Sequence, residues 1–340
     1  MPKVLVTGGT GYIGSHTIVD LIENGFDVFS VDNYLNSDAK PLAGIKKITG
    51  KSVKNHPIDL CDLKKTRAIF EKNPGIDGVI HFAALKSVPD SVADPLLYFK
   101  NNLESLLNLL VCMQEFGVKN LIFSSSCSVY GNAKQLPVTE ETPFEDAESP
   151  YARTKQVGEQ VLRDFCRFMP GFKVILLRYF NPAGAHPTAI IGENPRNPAT
   201  ALVPVITETA AGRRAEMVVY GDDYPTRDGS CIRDFIHVMD LAHAHTKALE
   251  YLLGNKNIEN CEIFNLGAGA GVTVLEAVRA FEKANKLKFN WRIGPRRAGD
   301  VESIFADTSR AVGQLGWTPK YSIEEVMRSA WKWEKKRAKK

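Results

Sequence analysis

Tyr151 and Lys155, in Ser149-Pro150-Tyr151-Ala-Arg-Thr-Lys155, are a pair that could move a proton. A phenol titrates at ~10 in water, too high for a base at neutral pH. A nearby ammonium, joined by a cationic cofactor ring, favours the phenolate and lowers that value. On a helix opened by Pro150 the two side chains share one face. Ser124-Ser125-Ser126 follows a strand-length apolar run and could offer a hydroxyl to the same oxygen. Either feature alone is ordinary, because Tyr-x-x-x-Lys is common on surface helices and serines often satisfy turn backbone. Together they point to chemistry.

A second group could hold an anion. Val4-Leu-Val-Thr-Gly8-Gly-Thr-Gly11-Tyr12-Ile13-Gly14 passes from a strand pattern through Gly-x-x-Gly-x-x-Gly into a helix pattern. The first glycine permits a tight turn, the second lets backbone approach a pyrophosphate, and the third packs helix on strand. The helix start offers free N–H groups and a positive dipole end. Asp32 closes the next apolar run 18 residues after Gly14. A carboxylate there accepts both ribose hydroxyls and repels a 2′-phosphate, which favours NAD over NADP. Gly267-Ala-Gly269-Ala-Gly271 also lies between strand and helix patterns, but no acid follows at the right distance. It reads as a turn whose Thr273 caps the next helix.

These residues need a scaffold that brings them to one edge. Up to about residue 180, apolar runs at Val4–Val6, Val28–Val31, Val79–Phe82, Leu121–Phe123 and Val174–Leu177 alternate with helical patterns. The helices are expected at Tyr12–Asn24, Lys64–Lys72, Asp94–Phe116 and Tyr151–Phe168. This alternation predicts an α/β fold, a doubly wound parallel (Rossmann) sheet with ligands at the carboxyl ends of its strands. Beyond 180, Pro182, Pro187, Pro195 and Pro198 mark a long loop. Helices follow near 201–212 and 239–253, then a strand at Ile263–Leu266 and helices at Val274–Ala284 and Ile323–Lys335. The expected division is 1–180 for an NAD-binding domain and 181–340 for a smaller α/β substrate lobe, some late segments returning to the first domain. The cleft between them is the expected ligand site.

With 340 residues, 44% hydrophobic and 24% charged, the chain can build a full core, which excludes disordered and collagen-like classes. The net charge of +4 is small, and Lys332, Lys335, Lys336, Arg337, Lys339 and Lys340 crowd one end. That cluster reads as a solvated, fraying helix end, not as a nucleic-acid or membrane surface. Six scattered cysteines and the spacing of the histidines argue against a metal site or disulfide framework and for a reducing, cytoplasmic setting. No stretch approaches the ~20 apolar residues that span a bilayer.

Thr7-Gly-Gly-Thr-Gly-Tyr-Ile-Gly14, Ser124-Ser-Ser-x-x-Val129-Tyr-Gly131, Tyr151-x-x-x-Lys155 and Arg178-Tyr-Phe-Asn-Pro-x-Gly-Ala-His186 carry a resemblance. In that order they resemble the extended short-chain dehydrogenase/reductases, and more narrowly the UDP-galactose 4-epimerases. The likeness continues through Gly221-Asp-Asp-Tyr-Pro-Thr-Arg-Asp-Gly229, Arg233-Asp-Phe-Ile-His-Val238 and Pro295-Arg-Arg-x-Gly-Asp300. It implies inversion of C4 of a hexose on a UDP carrier, linking UDP-glucose and UDP-galactose through a 4-keto sugar and tightly held NAD. Tyr151 would take the 4-hydroxyl proton and Ser126 would hydrogen-bond the 4-oxygen. Lys155 would hold the nicotinamide ribose and depress the Tyr151 pKa.

Carried over likewise, the cofactor contacts would be Gly8, Gly11, Tyr12, Ile13, Gly14, Asp32, Asn33, Asn36, Ser37, Asp59, Leu60, Phe82, Ala83, Ala84, Lys86, Asn101, Ser124, Tyr179 and Phe180. Lys86, Asn181, Leu202, Val218, Tyr220, Arg233, Arg297, Asp300 and Ile304 would join Ser126 and Tyr151 around the UDP-sugar. The chain departs from the family at Ala201, where an asparagine amide is usual, and at Phe235, where tyrosine often stands. Ile304 is intermediate in size at a position where bulk excludes an N-acetyl group.

The resemblance also implies a homodimer built on helices 94–116 and 151–168, with Leu103, Leu106, Leu107 and Leu110 as an apolar stripe. Rival readings are a 4,6-dehydratase, disfavoured because Ser126-Cys127-Ser128 replaces the dehydratase Thr-Asp-Glu, and an epimerase of UDP-N-acetylhexosamine, UDP-xylose or UDP-glucuronate. A non-catalytic NAD-sensing scaffold is the reading from another class.

Overall fold

The computed structural model describes residues 1–297 and 300–338. Strands and helices alternate from the start: β1 (Lys3–Thr7), α1 (Tyr12–Glu23), β2 (Asp27–Val31), α2 (Lys40–Thr49), β3 (Asn55–His56), α3 (Leu63–Lys72) and β4 (Gly78–His81). Then come α4 (Val88–Ala93), α5 (Pro95–Glu115), β5 (Asn120–Ser126), α6 (Pro150–Phe168) and β6 (Lys173–Tyr179). Beyond them lie β7 (Asn181–Ala183), α7 (Leu202–Ala210), β8 (Met217–Tyr220), β9 (Ile232–His237), α8 (Val238–Leu253) and β10 (Cys261–Leu266). The chain ends with β11 (Gly271–Thr273), α9 (Val274–Asn285), β12 (Trp291–Gly294) and α10 (Ile323–Arg337).

Seven strands form one sheet in the order β10-β6-β5-β4-β1-β2-β3, every neighbour parallel. Alternation along β1 explains its two-sided cover. Val4 and Val6 pack with Ile18 of α1 and Leu241 of α8, while Leu5 joins Leu109 of α5 and Leu162 of α6. The strand order reverses between β1 and β4, which opens a crevice at their carboxyl ends. Although they follow residue 180, α8 and β10 belong to the layers of this large sheet.

The remaining elements make a smaller lobe. A β11-β9-β7 sheet and a β12-β8 pair surround a core with α7, α9 and α10. Both α9 and α10 open with capping boxes, Thr273 with Glu276 and Ser322 with Glu325, each satisfying two backbone donors. The cap at Thr273 is the one expected after the second glycine cluster.

Several expectations need correction. The basic end is not a free, fraying surface: Lys332 Nζ donates to the Pro187 carbonyl at 2.6 Å, and Arg337 Nη1 donates to Asn194 Oδ1 at 2.8 Å. These contacts dock α10 on the proline-rich loop; Lys339 and Lys340 lie outside the described residues, as does Gly299 of the last motif. The leucine stripe of α5 divides, with Leu106 and Leu110 buried and Leu107 48% exposed. At 3.6 residues per turn Leu107 falls in the row of Leu103 and Val111, beside the core row. Helix α2 escapes sequence patterning because Pro41 and Gly44 interrupt a short segment with few apolar residues.

All six cysteines are free, and among the described residues no cluster of His, Cys, Asp and Glu could hold a metal. Histidines instead serve the core and caps. His237 accepts from the Met239 N–H at the start of α8, and His16 lies buried between Tyr12 and His186.

Candidate active site

The carboxyl ends of β1, β2, β4, β5 and β6 deliver the expected residues to one edge. After β1 the chain turns at Gly8, with φ +68°, where a Cβ would come within 2.9 Å of the Ala83 nitrogen. At Gly14 a Cβ would lie 2.3 Å from the Gly8 carbonyl, so only glycine lets α1 approach the turn. Gly11 caps α1 with no side chain over the helix start. Tyr12 donates to the Gly184 carbonyl at 2.6 Å, tying α1 to the loop after β7. Burial, reinforced by Glu193, holds that phenol well above its ordinary range. Ile13 packs half-buried against the core.

Asp32 follows β2 and is held by three donors: Thr10 N–H at 3.1 Å, Tyr34 N–H at 2.9 Å and Ser37 Oγ at 2.9 Å. Its neighbours Asn33 and Asn36 are exposed. The cradle of glycines, the helix start free of side chains and the oriented carboxylate fit a dinucleotide. Phe82, Ala83 and Ala84 continue from β4 as a half-buried strip. Lys86 lies beyond them, its ammonium 3.6 Å from Glu193 of the proline-rich loop. Further out, Asp59 accepts from Cys61 N–H, Leu60 is buried, and Asn101 donates to Asn102.

Strand β5 ends at Ser126, whose Oγ accepts from the Ser128 N–H at 3.2 Å. The hydroxyl proton of Ser126 therefore remains free to be donated. Ser149 caps α6, placing half-buried Tyr151 in the first turn and Lys155 one turn further in. Lys155 Nζ donates to the Ser124 carbonyl at 2.6 Å and stands 5.9 Å from the Tyr151 ring centroid. Burial pushes the lysine down to about 8, with Glu159 pulling it back. Burial pushes the Tyr151 phenol up to about 12, and the Ser126 hydroxyl pulls it back. The depression of Tyr151 by Lys155 expected from sequence is not what the protein alone produces, because desolvation dominates and the ammonium is turned toward Ser124.

Beneath these groups is a buried network that sequence reasoning did not identify. Arg178 of β6 grips Glu159 of α6 with two hydrogen bonds, Nε at 2.9 Å and Nη2 at 2.7 Å, both side chains fully buried. Ser125 donates to the same carboxylate at 2.5 Å, and Arg178 also donates to the Tyr130 hydroxyl at 2.9 Å. Tyr130 in turn donates to Asn265 at 2.6 Å. Glu159 is four residues from Lys155, so it shares that helix face. The only signal available in sequence was this spacing. Tyr179 and Phe180 are buried, Tyr179 sharing a 2.6 Å hydrogen bond with His245 and Phe180 packing with Ile304 and Val129.

A separate group of expected substrate residues also converges. Arg297 meets Asp300 through two hydrogen bonds, at 2.6 and 3.1 Å, and Arg233 stands 3.8 Å from the same carboxylate. Arg297 stacks over Tyr220 at 5.3 Å. Tyr220 and Val218 share the outer face of β8, whose inner residues Met217 and Val219 are buried. Asn181 pairs with Phe235 in the β7–β9 register, and Leu202 opens α7 directly after Ala201.

The chain matches a family model described as GDP-mannose 4,6 dehydratase over residues 5–330. It is 47% identical to UDP-glucose 4-epimerase 2 of Arabidopsis thaliana over 97% of this chain and 94% of that protein. The structure superposes on a UDP-glucose 4-epimerase from Stenotrophomonas maltophila, solved with NAD and formylated UDP-arabinopyranose bound, with a TM-score of 0.96. That pair is 43% identical, with 100% of this chain and 99% of the other covered. It matches the enzyme of Bifidobacterium longum, in complex with NAD+ and UDP, with a TM-score of 0.94 at 44% identity and 99% coverage of both chains. Likeness at this level runs through every part of the chain, and the residues after Ser126 lack the dehydratase acids. The chain belongs to the UDP-glucose 4-epimerases, within the extended short-chain dehydrogenase/reductases.

Proposed function

We propose that the protein interconverts UDP-galactose and UDP-glucose by inverting C4 of the hexose, with NAD as its resident cofactor. One observation carries this reading: Tyr151, Lys155 and Ser126 meet at the sheet edge that also bears the glycine cradle and Asp32. NAD, when bound, supplies a reversible acceptor for the hydrogen at C4. Gly8, Gly11 and Gly14 would leave room for its pyrophosphate, and Asp32 would accept from its ribose.

The remaining work falls to side chains of this chain. Tyr151 takes the proton of the 4-hydroxyl and returns it, Ser126 donates to the 4-oxygen, and Lys155, held by Ser124, would hold the nicotinamide ribose. Positive charge is the needed correction to a phenol that burial pushes up to about 12. Arg233 and Arg297 would grip the diphosphate, since a guanidinium meets phosphate oxygens with paired donors. Firm hold there, with a light one on the hexose, lets the sugar present either face to the same residues.

The assembly proposed is a homodimer. Leu107 (48% exposed), Val111 (42%) and Phe168 (69%) leave an apolar surface on α5 and α6 that a second copy would cover. Sedimentation at twice the protomer mass is expected; a monomer at micromolar concentration contradicts it. Among the described residues no helix is long and apolar enough to cross a membrane. A cytoplasmic setting is proposed on the six free cysteines.

The function is tested by incubating the purified protein with UDP-galactose or UDP-glucose, without and with added NAD, and following products by NMR. The same final ratio from both sugars is expected. No conversion with NAD present, while another UDP-sugar is converted or none is, contradicts the assignment.

A further inference from the structure

The second glycine cluster does bind an anion, and the anion is part of the chain. Asp234 lies wholly buried on β9. Its Oδ1 accepts from the Ala268 N–H at 2.6 Å, and its Oδ2 accepts from Gly269 N–H at 3.2 Å and Ala306 N–H at 3.1 Å. A Cβ on residue 267 would stand 2.1 Å from Oδ2, so the carboxylate dictates glycine there. Burial pushes the Asp234 carboxyl up to about 6, and the three N–H donors pull it back. At pH ~8 it is ionised, and all three bonds are charge-assisted.

The donors come from two stretches far apart in sequence, Ala268 with Gly269 and then Ala306, so Asp234 fastens both to β9; β9 and the stretch at Ala306 carry substrate residues. Arg233 precedes Asp234 on β9 and faces Asp300. Ala306 ends the segment that carries Ile304, whose N–H donates to the Ile232 carbonyl at 3.2 Å. Ile304 is buried against Phe180 and Val129, the latter in the turn that follows Ser126. Val138 N–H, donating to the Phe305 carbonyl at 3.0 Å, holds the same segment from the other side. The wall beside the catalytic turn and the arm bearing a diphosphate cation thus share one buried anchor.

We propose that Asp234 is a positioning residue of the nucleotide-sugar site, fastening Arg233 and the wall at Ile304 into one unit that grips both the diphosphate and the hexose. The inference rests on the UDP-sugar reading above. Asp234 touches no reacting atom, so its role is exercised through binding. Asp234→Asn keeps the shape of the side chain, but its amide must turn an NH2 toward at least one of the three N–H donors. Ala268→Pro removes the shortest donor and leaves the carboxylate in place.

The test compares wild type, Asp234→Asn and Ala268→Pro for UDP-galactose kinetics, UDP affinity by calorimetry and NAD content by absorbance. For Asp234→Asn, KM is expected to rise about tenfold with kcat within about threefold, and UDP affinity to fall by a similar factor. Ala268→Pro should shift KM and UDP affinity the same way by less, and it carries the test if Asp234→Asn does not fold. NAD content should not change. A fall in kcat at unchanged KM and unchanged UDP affinity, the mark of a merely smaller folded fraction, overturns the proposal. A wild type that binds UDP yet converts no UDP-galactose overturns the epimerase reading instead, since UDP affinity is read separately.

Discussion

Tyr151 poses the main chemical problem at the level of single residues. Its phenol is pushed up to about 12 by burial, whereas a base must lose its proton near neutral pH. Lys155, pushed down to about 8, is the adjacent proton holder, so below that value the site carries a cation one helical turn from the phenol. Tyr151→Phe removes the proton path and leaves the glycine cradle intact. Turnover should fall by about 10³-fold, with NAD content by absorbance unchanged; near-normal turnover would remove Tyr151 from its role. These residues were legible because each motif is short and its chemistry local. Asp234 and Glu159 were not, since their partners are distant in sequence and a lone acid reads as a solvated surface charge.

Elements explain why the site holds its shape. Helix α6 presents Tyr151, Lys155 and Glu159 along one side, and the β5–β6 register sets Ser125 opposite Arg178 beneath them. Glu159 thus links the helix of the base to the strand of the hydroxyl, and its charge raises the lysine that burial lowers. Glu159→Gln should shift the alkaline limb of kcat/KM to lower pH, because Lys155 loses the carboxylate that keeps it protonated. Facing groups that bear on that limb are Arg178 of β6, Arg163 and Tyr151 of α6, and His81 of β4, whose ring is held neutral by burial and by Lys155. An unmoved limb with a uniformly lower rate would mean that Glu159 only braces the fold. The periodicity of the long elements made α1, α5, α6 and the five main strands readable. Strands β8, β9, β11 and β12 were not, because short strands in a small lobe take their pairing from tertiary contacts that no local pattern records.

At the scale of the whole molecule, the large sheet and the small lobe are joined by buried polar groups, and these set the response to acid. His16 and His81 are pushed down to about 3, and His237 and His245 to about 4, chiefly by burial. An unfolded histidine titrates at ~6.5, so unfolding takes up protons as the pH falls through that range, and stability drops. Burial lowers His56 and His186 as well, making six such rings. Asp234, pushed up to about 6, works in the opposite direction, as do Glu23, Glu140, Asp240 and Glu262, which burial also raises, five carboxyls against six rings. The thermal midpoint should therefore fall between pH ~7 and ~5.5; a midpoint that rises or stays level contradicts the assignment of these rings as buried and neutral. The return of α8 and β10 to the large sheet also belongs to this scale. Sequence could suggest the return, but only the packing of α8 on α1 and the pairing of β10 with β6 fix which layer receives them.

Inversion as proposed requires that hydrogen leave C4 of the sugar and come back to the same carbon within one enclosed site. The decisive measurement is conversion of UDP-galactose carrying deuterium at C4, followed by NMR and mass spectrometry in ordinary water. UDP-glucose that retains the deuterium at C4 is expected. Deuterium lost to water would mean inversion by proton removal at carbon, and would contradict the roles assigned to Tyr151 and the cofactor cradle.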